Sequence, residues 1–256
     1  SISKKRMASA SMSSVSARSS ASGGGFSRAF RISASFGSAA AASQSWNAAG
    51  VTLAARAILF DNKARSLTLP HIQVKSVVDV DWSLLKQRGM TGVLLDKDHT
   101  LTAPYSDELY SKEVADAMSR CVTCFGRENV WVLSNSAGLR SYDPHGHEAA
   151  RLSNLWGFGV ATHTYRKPDP RCIDEALQAF PAGTEASRVV FVGDRSLTDV
   201  AVGNAAGMVT VQVSPFPGVR ADAESLTTRF SRRVEQCLTS MWRGQGAQAP
   251  THPFLV

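Results

Sequence analysis

From about Pro70 onward, short apolar runs alternate with stretches that carry apolar residues at helical spacing. The helical stretches cover roughly 106–125, 147–156, 169–180, 198–206 and 222–243, and Ser106 is the expected N-cap of the first. Five runs have the length and composition of buried strands: GVLLD (92–96), NVWVLS (129–134), GVAT (159–162), RVVFVG (188–193) and MVTVQV (208–213). This alternation predicts an α/β fold with a three-layer, doubly wound parallel sheet.

Polar side chains follow four of the five predicted strands. Asp96 ends the first strand, Ser134 ends the second, Lys167 follows the third and Asp194 closes the fourth. Each of them alone has a plain structural explanation, such as a turn residue or a solvated charge. The carboxyl ends of parallel strands meet at one edge of a sheet, where ligands bind, so the four residues together predict a single site.

The stretch GVLLDKDHTLT (92–102) ends a buried strand on two aspartates that are one residue apart. Side chains two positions apart on an extended segment point the same way, which predicts that Asp98 lies beside Asp96. These carboxylates and Asp194 would repel one another without a cation. A hard cation that prefers oxygen ligands, such as Mg²⁺, is therefore expected in the site.

Charge is distributed unevenly along the chain. The 256 residues contain 28 basic and 21 acidic side chains, a formal net charge of +7, but residues 1–60 contain seven basic residues and no Asp or Glu. The rest of the chain is therefore formally neutral. The excess charge belongs to the N-terminal segment, so a nucleic-acid-binding globular domain is not indicated.

The composition divides the chain into four parts. Residues 1–46 are rich in Ser, Ala, Gly and Arg, which is typical of a disordered organelle transit peptide, and the Ser-rich start after Met7 favours a chloroplast over a mitochondrion. A plain disordered tail is the alternative. The other parts are an amphipathic segment (47–66), a globular domain (67–243) and a C-terminal tail (244–256).

No apolar run approaches the ~20 residues that span a bilayer, which predicts a protein without a transmembrane helix, either soluble or peripheral to a membrane. For a peripheral protein, the inner organelle membrane is the expected location. Two segments are candidates for membrane contact: residues 47–60 and the C-terminal helix, with arginines around Leu226, Phe230, Val234, Leu238 and Met241. The alternative is that both pack on the sheet, and for the C-terminal helix packing is favoured.

The motifs DKDHT, LSNS, RKPDP and GDRSLTD, in this order and each at a strand end, resemble the haloacid dehalogenase superfamily of phosphotransferases. The resemblance implies a Rossmann-like fold with Asp96 as nucleophile, Asp98 as general acid and base, and Lys167 as a catalytic cation. It implies that Mg²⁺ is bound by Asp96, the Asp98 main-chain carbonyl and Asp194. Asp199 would lie in the outer shell of the metal site and contact these ligands, not the ion. Phosphate would be bound by Ser134, Asn135 and Lys167. Arg195 is a further candidate for binding phosphate, and the alternative for it is a surface arginine.

Residues 67–243 resemble more closely the organellar phosphatidylglycerophosphate phosphatases, through LPHIQVKSVVDVDWSLLKQRGMTGVLLDKDHTLTAPY, LSNSAG, HTYRKPDP and VVFVGDRSLTDVAVGNAAG. The resemblance implies that the substrate is a phospholipid, phosphatidylglycerophosphate, and the product phosphatidylglycerol. One departure is His99, where Asn is expected in many relatives.

The spacing of the motifs leaves no room for an inserted cap domain, because one helix and one strand with their loops fill each gap between Asp96, Ser134 and Lys167. An uncapped site accepts a phosphate attached to something large, such as a membrane lipid, whereas small metabolites benefit from closure. Two alternatives stay open: a phosphatase for a soluble phosphate ester or phosphoprotein, and a non-catalytic metal-binding scaffold. The intact set of charged residues argues against the scaffold.

Overall fold

The computed structural model describes residues 61–217 and 226–255, and side chains in the second range from Phe230 onward. Its centre is a sheet of six parallel strands in the order β1-β6-β5-β2-β3-β4. The strands are β1 (Ile72–Gln73), β2 (Gly92–Leu95), β3 (Val130–Val132), β4 (Gly159–Val160), β5 (Val189–Gly193) and β6 (Val209–Gln212). The predicted α/β fold and its five strands are confirmed, and β1 is a sixth strand at the edge.

Both faces of the sheet are covered, which is why all four residues of β2 are buried. Val93 and Leu95 belong to the apolar cluster on one face, whereas Leu94 belongs to the cluster on the other face with Phe191 of β5. Adjacent side chains on a strand point to opposite faces. The two clusters therefore correspond to the expected three layers.

Seven α-helices are described: α1 (Asn62–Leu67), α2 (Trp82–Gln87), α3 (Lys112–Phe125), α4 (His147–Trp156), α5 (Arg171–Leu177), α6 (Ala201–Ala205) and α7 (Leu226–Gly244). The predicted N-cap at Ser106 is wrong. Ser111 caps α3, since its hydroxyl accepts a hydrogen bond from the Val114 N–H at 3.4 Å. Ser106 lies in the loop before the helix, where Lys97 Nζ donates to its carbonyl oxygen at 2.6 Å.

The helix predicted at 198–206 has two parts. A π-helical turn, Ser196–Val200, follows β5 and continues into α6. Such turns are rare and frequently occur at functional sites. Here the turn carries Asp199, which is one of the predicted site residues.

The helix α7 packs with the face opposite to the one expected. Its buried side chains are Glu235, Thr239 and Trp242, whereas Phe230, Val234 and Met241 are exposed and Leu238 is partly buried. The expectation that the apolar row packs on the sheet is therefore wrong for three of its positions. The side chain of Leu226 lies outside the described residues.

The structure describes the C-terminal residues of the chain but not the N-terminal segment. The predicted transit peptide and the amphipathic run at 47–60 lie outside the described residues. The C-terminal residues 244–255 pack on the domain. Ser66 donates to the Gln248 carbonyl at 2.6 Å, and His252 Nε2 lies 3.1 Å from the Gly207 carbonyl oxygen.

In residues 61–217 and 226–255, none of the helices has the length and apolar character needed to cross a bilayer.

Candidate active site

A pocket opens at the carboxyl ends of the central strands, where parallel sheets of this kind bind ligands. The structure brings every residue predicted for the site to this pocket: Asp96, Asp98, Ser134, Asn135, Lys167, Asp194, Arg195 and Asp199. The first two follow β2, and the last three follow β5. Residues that are up to about a hundred positions apart therefore meet because their strands end at the same edge.

A buried lysine joins two carboxylates in the pocket. Lys167 is 2 % exposed, and its Nζ lies 2.5 Å from Asp96 Oδ1 and 2.7 Å from Asp199 Oδ1. Burial alone would lower the pKa of Lys167, but Asp199 and Asp96 raise it above its ordinary value. The lysine is therefore a fixed positive charge beside the Asp96 carboxylate.

The loop after β5 holds Asp199 in place. A Cβ on Gly193 would lie 2.4 Å from Asp199 Cβ, so glycine is required for this approach. The Arg195 N–H donates to Asp199 Oδ2 at 3.0 Å, while Lys167 lies beside Oδ1. Burial raises the pKa of the Asp199 carboxyl, and Lys167 opposes that shift. Both oxygens of Asp199 therefore already face a donor.

The pocket fits a hard divalent cation. Carboxylate oxygens of Asp96, Asp194 and Asp199 lie within 4.8 Å of one another. Asp194 Oδ1 is buried and has no hydrogen-bond partner among the described residues. Four carboxylates and three cationic side chains line the pocket; Glu235 pairs with one of these cations and Lys97 with the Asp98 carboxylate, so five acids face four cations. Oxygen ligands with excess negative charge suit Mg²⁺.

The residues after β3 position Lys167 and leave one hydroxyl at the pocket. Asn135 Oδ1 accepts from the Lys167 N–H at 2.8 Å, and its Nδ2 donates to the Lys167 carbonyl at 3.3 Å. The side chain of Asn135 therefore positions the backbone of the lysine. Ser134 Oγ lies 2.9 Å from Ser136 Oγ, and His163 Nε2 lies 2.8 Å from the Ser134 carbonyl oxygen.

Helix α7 supplies an arginine that was not predicted from the sequence. Arg232 lines the pocket and pairs with Asp194. Burial lowers the pKa of Arg232, and the carboxylates of Glu235, Asp96 and Asp98 oppose that shift. Nothing in the sequence indicates that Arg232 reaches this pocket, because it is one of several polar residues in a helix near the C-terminal end of the domain.

Helix α7 also holds the guanidinium of Arg195. This group pairs with Glu235 and donates to Ser231 Oγ at 2.8 Å. Arg195 lines the pocket as expected, but its charge is directed toward the helix. Two ion pairs therefore join the GDRSLTD motif to α7: Arg232 with Asp194, and Arg195 with Glu235.

The loop from Asp98 to Ser106 forms part of the pocket wall. Lys97 Nζ lies 3.2 Å from Asp98 Oδ1 and from Thr102 Oγ1, and it donates to the Ser106 carbonyl. His99 has a φ of 63°, in the left-handed region where Asn, Asp and His are enriched. The conformation explains why Asn and His both suit this position.

Residues 50–216 match the model of a family described as mitochondrial PGP (phosphatidylglycerophosphate) phosphatase. The chain belongs to this PGP phosphatase family. Its resemblance to organellar phosphatidylglycerophosphate phosphatases is thereby confirmed, and with it the assignment of the chain to a family of phosphatase enzymes.

Curated relatives in three organisms agree with this family. The chain is 38% identical over 209 residues to phosphatidylglycerophosphate phosphatase 1, chloroplastic, of Chlamydomonas reinhardtii, which covers 82% of this chain and 74% of the relative. It is 37% identical over 193 residues to phosphatidylglycerophosphate phosphatase 1, chloroplastic/mitochondrial, of Arabidopsis thaliana, covering 75% of this chain but only 53% of the relative. It is 30% identical over 163 residues to the probable mitochondrial phosphatidylglycerophosphatase of Schizosaccharomyces pombe, covering 62% of this chain and 73% of the relative.

All three relatives carry an organelle in their names, in line with the organellar address expected from the N-terminal segment. The names include both the chloroplast and the mitochondrion, which are the two compartments considered from the sequence. No solved structure matches the chain significantly.

Proposed function

We propose that this member of the PGP phosphatase family hydrolyses the terminal phosphate monoester of phosphatidylglycerophosphate and releases phosphatidylglycerol and phosphate. The observation that carries the proposal is the Asp96 carboxylate at the end of β2, paired with the buried Lys167 in a pocket lined by three further carboxylates. The substrate follows from the names of the relatives.

The reaction has two steps. Asp96 attacks the phosphorus, and the bond from phosphorus to the glycerol oxygen breaks while Asp98 donates a proton to that oxygen. Asp98 then takes a proton from water, whose oxygen attacks the phosphorus and breaks the bond to Asp96. The free carboxylate returns, and one difficult displacement has become two easier ones.

Fixed positive charge and donors stabilise the phosphoryl group during both steps. Lys167 neutralises oxygens on the transferring group, and the Ser134 hydroxyl donates to another. The contacts that fix Lys167 support this role, because Asn135 holds its backbone at 2.8 and 3.3 Å. Arg195 adds positive charge near the phosphate from its position beside α7.

The residues that would hold Mg²⁺ are Asp96, the main-chain carbonyl of Asp98, and Asp194, while Asp199 orients Lys167 behind them. The buried Asp194 Oδ1, which has no hydrogen-bond partner in the described part of the chain, supports the ligand role of Asp194. The ion pair of Asp199 with Lys167, at 2.7 Å, supports the role of Asp199 in orienting the lysine. When bound, the ion neutralises negative charge on the carboxylates and on the phosphoryl oxygens.

Metal dependence is tested by exhaustive chelation. Activity should be lost with chelator, return with Mg²⁺ and be inhibited by Ca²⁺, whose looser coordination misplaces the attacking carboxylate. Full activity after chelation would overturn the metal assignment.

The site is proposed to lack a cap domain, which suits a phosphate presented by a membrane lipid. Between Asp96 and Ser134 the chain forms α3 and β3, and between Ser134 and Lys167 it forms α4 and β4. Both helices contribute side chains to the apolar cluster on one face of the sheet, such as Val114 and Leu152. This packing supports the proposal that neither gap holds an inserted cap.

The substrate is tested by phosphate release from phosphatidylglycerophosphate in detergent micelles, compared with glycerol phosphate and a panel of phosphopeptides. The proposal predicts a much larger kcat/KM for the lipid. A preference for glycerol phosphate or a phosphopeptide would instead support the alternative, a phosphatase for a soluble ester or phosphoprotein. If none of these substrates were hydrolysed in the presence of Mg²⁺, the result would favour a non-catalytic scaffold.

A further inference from the structure

The helix α7 exposes a row of apolar side chains, called here the outer stripe: Phe230, Val234, Cys237 and Met241. Phe230 is 70 % exposed, Met241 46 % and Val234 39 %, and Cys237 is exposed as well. Their spacing places all four on one line along the helix. Contiguous exposed apolar surface on a soluble domain is typical of an interaction site.

The inner face of α7 fixes the outer stripe in this exposed position. Arg232 pairs with the buried Asp194, and Glu235 pairs with Arg195. Rolling the helix to bury the stripe would separate both pairs and leave buried charges without a counter-ion, which is strongly unfavourable. The stripe therefore stays exposed unless a partner covers it.

The charges around the outer stripe indicate an anionic partner. Glu235 is the one acid in the sequence of α7, and it is buried against Arg195. Arg233 is exposed beside the stripe, three residues after Phe230. Arg243 lies on the other side of the helix, where it donates to Gln73 Oε1 at 2.7 Å. An apolar row with a cation beside it, on a helix without an exposed carboxylate, matches an anionic phospholipid surface.

The outer stripe also lies close to the pocket. Arg232, which lines the pocket, stands between Phe230 and Val234 in the sequence of the helix. An α-helix is roughly 10–12 Å across with its side chains. The stripe and the pocket wall are therefore separated by about one helix diameter.

We propose that the outer stripe docks the protein on an anionic phospholipid bilayer, with Phe230 and Val234 at the level of the head groups. The opposite face of the same helix then holds the pocket beside the membrane surface. This inference rests on the proposed hydrolysis of a membrane lipid and assigns the surface through which the enzyme meets that lipid.

The test is binding of the full chain to vesicles that contain no substrate. Phosphatidylcholine vesicles, with or without phosphatidylglycerol, are sedimented with the parent protein, with the double variant Phe230→Ser/Val234→Ser, and with the control Leu155→Ser. Leu155 is a matched control because it is 58 % exposed on a different helix, α4. Thermal melting checks that each variant is folded.

The double variant should bind the anionic vesicles at least about tenfold more weakly, because two apolar side chains no longer enter the interface. Leu155→Ser should bind like the parent, and Arg233→Gln should weaken binding to anionic vesicles more than to neutral ones. Parent-like binding by the folded double variant would overturn the proposal. Residues 47–60 would then be the remaining candidate for the membrane-binding segment. A dimer in the parent that becomes a monomer in the double variant would also overturn it, since a second copy would then cover the stripe.

The outcome can be separated from that of the proposed function. Vesicle binding needs no catalysis, so stripe-dependent binding without lipid hydrolysis would contradict the proposed function alone. Hydrolysis of the lipid in micelles, combined with parent-like vesicle binding by the double variant, would contradict the docking surface alone.

Discussion

Two lysines are buried at the same edge of the sheet, and their partners differ. Lys167, 2 % exposed, reaches Asp96 and Asp199 inside the pocket, whereas Lys97, 4 % exposed, lies outside the pocket lining and holds the loop from Asp98 to Ser106. Lys97 follows Asp96 directly, and adjacent side chains on an extended segment point in opposite directions. Burial alone therefore does not identify a lysine that takes part in chemistry.

The contacts of Lys97 are those of a structural cation. Its Nζ has one carboxylate, one hydroxyl and one carbonyl oxygen as neighbours, all from the same loop. Lys167 instead joins two carboxylates from different strand ends. We expect substitutions of Lys97 to change mainly stability and those around Lys167 to change mainly turnover.

The largest effect is expected from Asp96→Asn, which keeps the shape beside Lys167 but removes the nucleophile. Phosphate release from the lipid in micelles should fall to background while thermal melting shows a folded protein. Asp174→Asn, at an exposed position of α5, is the control and should retain parent activity. Normal turnover by Asp96→Asn would rule out a covalent intermediate at this residue.

Asp98→Asn should reduce kcat by about 10²–10⁴-fold, because the amide cannot act as an acid and base. The amide oxygen can still accept from Lys97, so the loop should keep its conformation and the melting temperature should change little. The check is kcat measured together with melting. A loss smaller than about tenfold would argue against the acid and base role.

Lys167→Met should reduce kcat by roughly 10²–10³-fold, the usual effect of removing a group that stabilises transition-state charge. It also leaves Asp96 and Asp199 without their shared counter-ion. The kinetics of the folded variant are compared with those of Lys97→Met, the same substitution at the other buried lysine. Equal losses of kcat in the two variants would contradict the difference drawn between the lysines.

Lys97→Met should have the smallest effect on turnover, within about tenfold, because no atom of Lys97 lines the pocket. Loss of its buried contacts should lower the free energy of unfolding by about 2–4 kcal/mol, since the Asp98 carboxylate and the Ser106 carbonyl lose a charged donor. Differential scanning calorimetry should show a decrease in melting temperature of roughly 5–15 °C. An unchanged melting temperature with a large loss of kcat would indicate a direct role in chemistry.

The comparison of the lysines also shows what the sequence can predict. Lys167 could be predicted because its place after β4, like that of Asp96 after β2, is a local property of a strand end, and parallel strands bring their ends together. The role of Lys97 could not be predicted, because it depends on how the loop up to Ser106 folds back. The wrong helix start at Ser106 has the same cause.

The C-terminal helix could be predicted as a helix, but its orientation could not. The spacing of Phe230, Val234 and Met241 favoured an apolar face turned inward, as in most amphipathic helices. The observed helix turns Arg232 and Glu235 inward because it packs against the charged loop after β5. That preference follows from charges about 40 residues earlier in the chain, beyond the reach of periodicity within the helix.

The most direct test of the proposed chemistry is to trap phosphate on Asp96. The Asp98→Asn variant is mixed with phosphatidylglycerophosphate and Mg²⁺, quenched in acid during turnover, reduced with borohydride and examined by peptide mass spectrometry. Borohydride converts an aspartyl phosphate into homoserine, so homoserine at position 96 is predicted, in an amount that depends on substrate. Unmodified Asp96 in a variant that still releases phosphate, or homoserine at another aspartate, would contradict catalysis through this residue.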